Sequence, residues 1–154
     1  MITGNLIAAF IITSLAAGIL GACAMETVMW LITRDGWAKG NMIVAVGSLI
    51  TRSRENAFRT GAVLHAISAF VFAMLYAFAM RELGLTHLPY SFAAGIGIGI
   101  IHGLIVSLML TWFVAERHPL EEFQEAGLAV GVSHFAGHVA FGAVVGLVIG
   151  LSPL

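Results

Sequence analysis

Four stretches of this 154-residue chain run for more than 20 residues with almost no charge, at about residues 5–32, 57–80, 91–114 and 126–151. Glu26 and Arg59 are the only acidic or basic residues within them. A helix rises 1.5 Å per residue, so about 20 apolar residues cover the roughly 30 Å hydrocarbon layer of a bilayer. Inside that layer no water satisfies backbone N–H and C=O groups, and a single apolar segment can satisfy them only as a helix. Composition agrees. The chain is 60% hydrophobic and 10% charged, where soluble domains run at about 45–50% and about 25%. The sequence therefore predicts an all-α fold, a single integral membrane domain (residues 1–154) built as a bundle of four transmembrane helices. No Lys or Arg precedes the first apolar run, and the run exceeds the length of a signal-peptide core, so a retained helix is expected there.

The connections carry the rest of the charge. The first holds Arg34, Asp35, Lys39, Arg52, Arg54 and Glu55, with the apolar run Met42–Ile50 between them. That run is too short to span, and a short interfacial helix, or one dipping into the bundle, is expected. Trp30 and Trp37 flank the end of the first span as interfacial aromatics do. The third connection is acidic, with Glu121, Glu122 and Glu125 read as a solvated face. Connections one and three lie on the same side and hold Arg34, Lys39, Arg52, Arg54, Arg59 and Arg117, against Arg81 alone on the other. The excess of Lys and Arg predicts that side to be cytoplasmic, with both termini outside and the inner (plasma) membrane as location. Arg52, Arg54 and Arg59 are expected to meet anionic head groups. A net charge of −1 gives no field for nucleic acid. The expected partners are the lipid bilayer and, for so small a chain without a soluble domain, other membrane subunits or further copies of itself.

Glycines recur every fourth residue at Gly95, Gly99 and Gly103 and again at Gly142, Gly146 and Gly150. Small residues at this spacing let membrane helices approach closely. The stretch GIGIGIIHG has the glycines of a dinucleotide loop but no preceding strand, so packing is the expected role.

Histidine carries the chemistry. His87 and His118 fall in connections, where a solvated side chain is expected. His65, His102, His134 and His138 fall inside spans, and Glu26 is the one acid there. Ionisable groups are costly at that depth and mark functional sites by default. Counting rises from the helix ends puts Glu26, His65 and His134 in one layer, with His102 and His138 about a turn deeper. Three readings follow. The five residues form a metal site for Fe, Cu or Zn, since imidazole suits these ions and bundles build such sites from facing helices. In a variant of this, His65 and His134 hold a haem b iron axially. Alternatively, they form a proton or ion path. Finally, they serve only as hydrogen-bonding glue in a structural subunit. Met25, Met29 and Met74 read as gap-fillers and Cys23 as a small buried packer.

Two stretches, GACAMETVMW (Gly21–Trp30) and SHFAGHVAFGAVVGLVIG (Ser133–Gly150), resemble the first and last helices of uncharacterised small four-helix prokaryotic membrane-protein families. The resemblance covers about half the chain and implies the fold and a membrane location. Those families often have a small residue or Asp where this chain has Glu26, so it implies no role for Glu26.

Overall fold

The computed structural model describes residues 2–38, 41–124 and 127–154. It is all-helical among the described residues. In chain order the helices are α1 (Ile2–Arg34), α2 (Met42–Thr51), α3 (Ala57–Glu82), α4 (Tyr90–Met109) and α5 (Leu128–Gly150). Helix α4 continues through a π turn at Leu110–Val114 and a 3₁₀ turn at Ala115–Arg117, and a second 3₁₀ turn covers Glu121–Phe123. Four of these segments, Asn5–Arg34, Ala57–Glu82, Tyr90–Arg117 and Leu128–Gly150, are long and apolar enough to cross a membrane. Lys39 and Glu125, both counted in the sequence reading, lie outside the described residues.

The surface is apolar along all four long helices, with residues such as Ile12, Val63, Ile101 and Leu147 exposed. The three tryptophans, Trp30, Trp37 and Trp112, are all exposed and all belong to the end formed by connections one and three. There Arg34 lies over the Trp30 ring and Arg117 over Phe113.

Around the bundle the order is α2, α3, α1, α5, α4. The most extensive contact joins α4 to α5, and the glycines explain it. A Cβ on Gly95 would fall into the carbonyl of Gly142, and one on Gly99 would come within 2.8 Å of the His138 carbonyl. Helix α1 wedges between α3 and α5. Its Gly18 meets the α3 backbone at Ala69, Gly21 receives Phe141, and Met25 and Met29 fill the space left by Gly137 on α5. The two methionines are buried, as expected of gap-fillers. Cys23 is exposed, contrary to the expectation of a buried packer. It lies one residue beyond Ala22, and the 100° step per helical residue carries it off the inward face.

Helix α2 is the short apolar helix expected between the first two spans. It folds back antiparallel along the start of α3, with Gly47 against Ala57 and Gly61 against Ile43 so closely that a Cβ at either glycine would overlap a backbone carbonyl. The turn between them sets Arg52 (φ 53°) and Asn56 (φ 58°) in the left-handed region, which Asn adopts readily.

His118 corrects the sequence reading. It is 2% exposed, not solvated. Its Nε2 donates to the Ala45 carbonyl at 3.0 Å and approaches Ser48 Oγ at 3.5 Å, while Nδ1 accepts from the Leu120 N–H at 3.1 Å. Arg54, expected among head groups, has a protein partner as well. Its guanidinium makes a two-pronged pair with Glu122, one arm being Nε to Oε1 at 2.6 Å, so it turns toward the third connection. Both contacts pin the third connection onto the α2–α3 hairpin, and distance along the chain hides them.

Candidate functional site

Glu26 lies eight residues before the end of α1, and His65 eight residues after the start of α3. At 1.5 Å per residue each is about 12 Å in from the same end of the bundle. The helices bring Glu26 Oε1 to 3.2 Å from His65 Nε2. This is ion-pair distance without the alignment of a hydrogen bond, and both atoms are shielded with no other polar partner among the described residues.

On α5 two imidazoles fold back on their own helix. His134 Nδ1 donates to the Val130 carbonyl at 2.6 Å, and His138 Nδ1 donates to the His134 carbonyl at 2.8 Å. A carbonyl accepts only, so the neutral ring carries its proton on Nδ1 and Nε2 keeps its lone pair. His134 Nε2 is buried and has no partner among the described residues.

A turn deeper, the rings of His102 and His138 meet edge to face at 4.6 Å between centroids. Close approach of α4 and α5 brings them together, since Gly103 leaves room beside the His138 Cβ. His102 also stacks on Phe72 at 4.1 Å and shares a hydrogen bond with the Tyr76 hydroxyl, 3.1 Å from Nδ1.

His65, His102 and His138 line one cavity of about 170 Å³, together with Phe72, Phe141 and, from α2, Met42 and Val46. Beyond Tyr76 the interior closes. Ala73, Ala77, Met80, Val145 and Ile149 are fully buried and apolar.

Of the five residues expected to form one site, the structure pairs Glu26 with His65 and His102 with His138. His134 is linked to His138 through its own carbonyl. No hydrogen bond or ring contact joins His134 to His65. Among the described residues no three His, Cys, Asp or Glu side chains converge on a point where a metal ion would sit. The cavity is also smaller than the roughly 300–1,000 Å³ typical of organic ligand sites. Tyr76 has no part among the residues expected from the sequence, although it shares the His65 face of α3. Its spacing from His65 was the available signal.

Outside the spans, the Arg54 guanidinium beside Glu122 holds that carboxyl below the usual glutamate value, and Glu122 raises Arg54 in turn.

Set against protein-family models, curated proteins and solved structures, the chain matches none.

Proposed function

We propose that this chain is an integral protein of the inner (plasma) membrane that exchanges protons between its bundle interior and one aqueous side, as a small proton-coupled transporter or the proton-handling subunit of a larger membrane complex. One observation carries the reading. His65, His138 and His102 line a single cavity, and from outside its lining Glu26 meets His65 at 3.2 Å and Tyr76 meets His102 at 3.1 Å. Ionisable side chains in series are what intramembrane proton relays are built from. The cavity, at about 170 Å³, has room for several waters at about 30 Å³ each.

The apolar plug of Met80, Val145 and Ile149 argues for a half-path and against an open channel. A proton entering from the side of connections one and three reaches Tyr76 and stops. Onward transfer then requires a second conformation, as in a transporter. The excess of Lys and Arg in those connections supports a cytoplasmic mouth. The test is flux in liposomes holding the purified chain and a pH-sensitive dye. Through that second conformation a pH gradient should drive proton movement in the wild type, which Glu26→Gln should lower by roughly 10²-fold. Equal flux in both would overturn the reading.

A second reading is favoured by a separate observation. With Nδ1 bonded to a backbone carbonyl, His134 and His138 have the outer-shell support typical of metal-ligating histidines, and each keeps an Nε2 lone pair. On this reading the pair holds an Fe, Cu or Zn ion, with Glu26 and His65 as further donors after side-chain movement. Metal analysis of protein purified in mild detergent tests it. About one ion per chain, lost in His134→Ala/His138→Ala, supports it, and a metal-free wild type rejects it.

A further inference from the structure

The bundle has one loosely joined seam. Helices α3 and α4 meet at few points, chiefly where Phe72 and Tyr76 reach His102. Residues on both sides of this seam, His65 and Phe72 of α3 and His102 and Val106 of α4, line the histidine cavity. Helix α2 adds Met42 and Val46 to that lining and is welded to α3 by the Gly47–Ala57 and Gly61–Ile43 contacts. The α2–α3 hairpin is therefore one unit, and α4 with α5 is another.

At the connection end two ties cross from the second unit to the first. Both come from the segment between α4 and α5. One is His118, buried against α2, with its Nε2–H on the Ala45 carbonyl and its own carbonyl accepting from Gln124 Nε2 at 2.9 Å. The Phe123 ring packs against its imidazole at 4.9 Å. The other is the Arg54–Glu122 pair, which reaches from the α2–α3 turn to the second 3₁₀ turn. Neither tie belongs to a helix–helix interface. The first holds α2, whose Met42 and Val46 line the histidine cavity, and the second holds the turn that joins α2 to α3.

We infer that the third connection is a latch, which by gripping α2 holds the α2–α3 hairpin against α4 and closes the histidine cavity to water on the connection side. Release of the latch lets the hairpin part from α4 along the loose seam and wets His65, His102 and His138. The inference rests on the reading of that cavity as the working site. Its consequence, a change in water access, is measurable without any assay of proton movement.

The measurement is the rate at which a charged, water-soluble thiol reagent labels a cysteine placed in the cavity wall. Val106→Cys on α4 supplies the reporter in a Cys23→Ser background, with the full chain in liposomes. Arg54→Glu sets two carboxylates against each other and should speed labelling by about two- to fivefold, the range expected of an exposed ion pair. The swap Arg54→Glu/Glu122→Arg should return the rate to that of the parent. His118→Ala removes buried hydrogen bonds and should speed labelling by about tenfold. If His118→Ala does not fold, the charge series still decides. Rates unchanged in every variant, or a swap that fails to restore the parent rate, would overturn the latch. Labelling that responds as expected while Glu26→Gln leaves proton flux intact would uphold the latch and remove the relay.

Discussion

Glu26 Oε1 and His65 Nε2 lie 3.2 Å apart on two different helices, and neither has another polar partner among the described residues. A carboxylate and an imidazole so placed can pass a proton between them, and their mutual contact offsets part of the cost of holding either inside an apolar bundle. Removing one leaves the other alone. Glu26→Gln and His65→Leu are each expected to lower proton flux by roughly 10²-fold, the lower end of what a positioned acid or base contributes. His65→Leu should leave the fold intact, because leucine fills similar volume without a polar atom. Flux in liposomes alongside thermal unfolding in detergent separates the two effects. Flux retained in His65→Leu would remove His65 from the path.

Tyr76 ends the polar series. Its hydroxyl bonds His102 Nδ1 at 3.1 Å, while its ring packs edge to face on Phe141. Tyr76→Phe deletes the hydroxyl and keeps the ring. Interhelical hydrogen bonds in membranes average about 0.6 kcal/mol with a maximum near about 1.7, so stability should fall by no more than that. Flux should fall further than stability. A variant with normal flux would place the inner end of the path at His102.

Helix number, helix type and the shared layer of Glu26 and His65 are legible in the sequence, because hydropathy marks the ends and a fixed rise counts the depth. The meeting of His102 with His138 is legible for the same reason, as both sit beside glycine stripes. What the sequence hides is tertiary contact made by connections. His118 stands among charged residues beside a proline, which reads as a solvated loop, yet it donates to Ala45, 73 residues away. Hydropathy of its neighbours carries no trace of that bond. Helix α2 is hidden similarly. Its ten residues are too few to span, and only the pairing of Gly47 with Gly61 shows that it packs along α3.

The α4–α5 contact gives a prediction about stability alone. A Cβ on Gly142 would meet the Gly95 carbonyl and the Gly99 backbone, and neither can move aside as a side chain could. Gly142→Val is expected to destabilise by about 1–3 kcal/mol or more through overpacking. Gly97 lies on the same helix as Gly95, but a Cβ there meets nothing within 4 Å. Gly97→Val should be close to neutral. Heat unfolding of both variants in one detergent, followed by circular dichroism, checks the contrast. Equal midpoints would mean that the two backbones do not meet at Gly142.

The Arg54–Glu122 pair makes the latch sensitive to acid. Arg54 holds the Glu122 carboxyl below its ordinary value of 4.5 in the folded protein. A carboxyl depressed by folding binds fewer protons folded than unfolded near that value, so its contribution is complete above 4.5 and is lost as pH falls through the lowered value. Both side chains are largely in solvent, and salt screens such pairs. The effect on global unfolding should therefore be small. It should be clearer in the labelling rate of the cavity cysteine taken relative to that of an exposed cysteine at the same pH, a ratio that cancels the loss of thiolate in acid and that acidification below that value should raise in the parent. Glu122→Gln should have a higher rate at neutral pH and lose this acid-dependent rise, since no carboxylate remains to protonate. High salt should reduce the difference between parent and variant at neutral pH. A rise with acid of the same size in Glu122→Gln would assign the pH dependence to another group and leave the pair without a part in the latch.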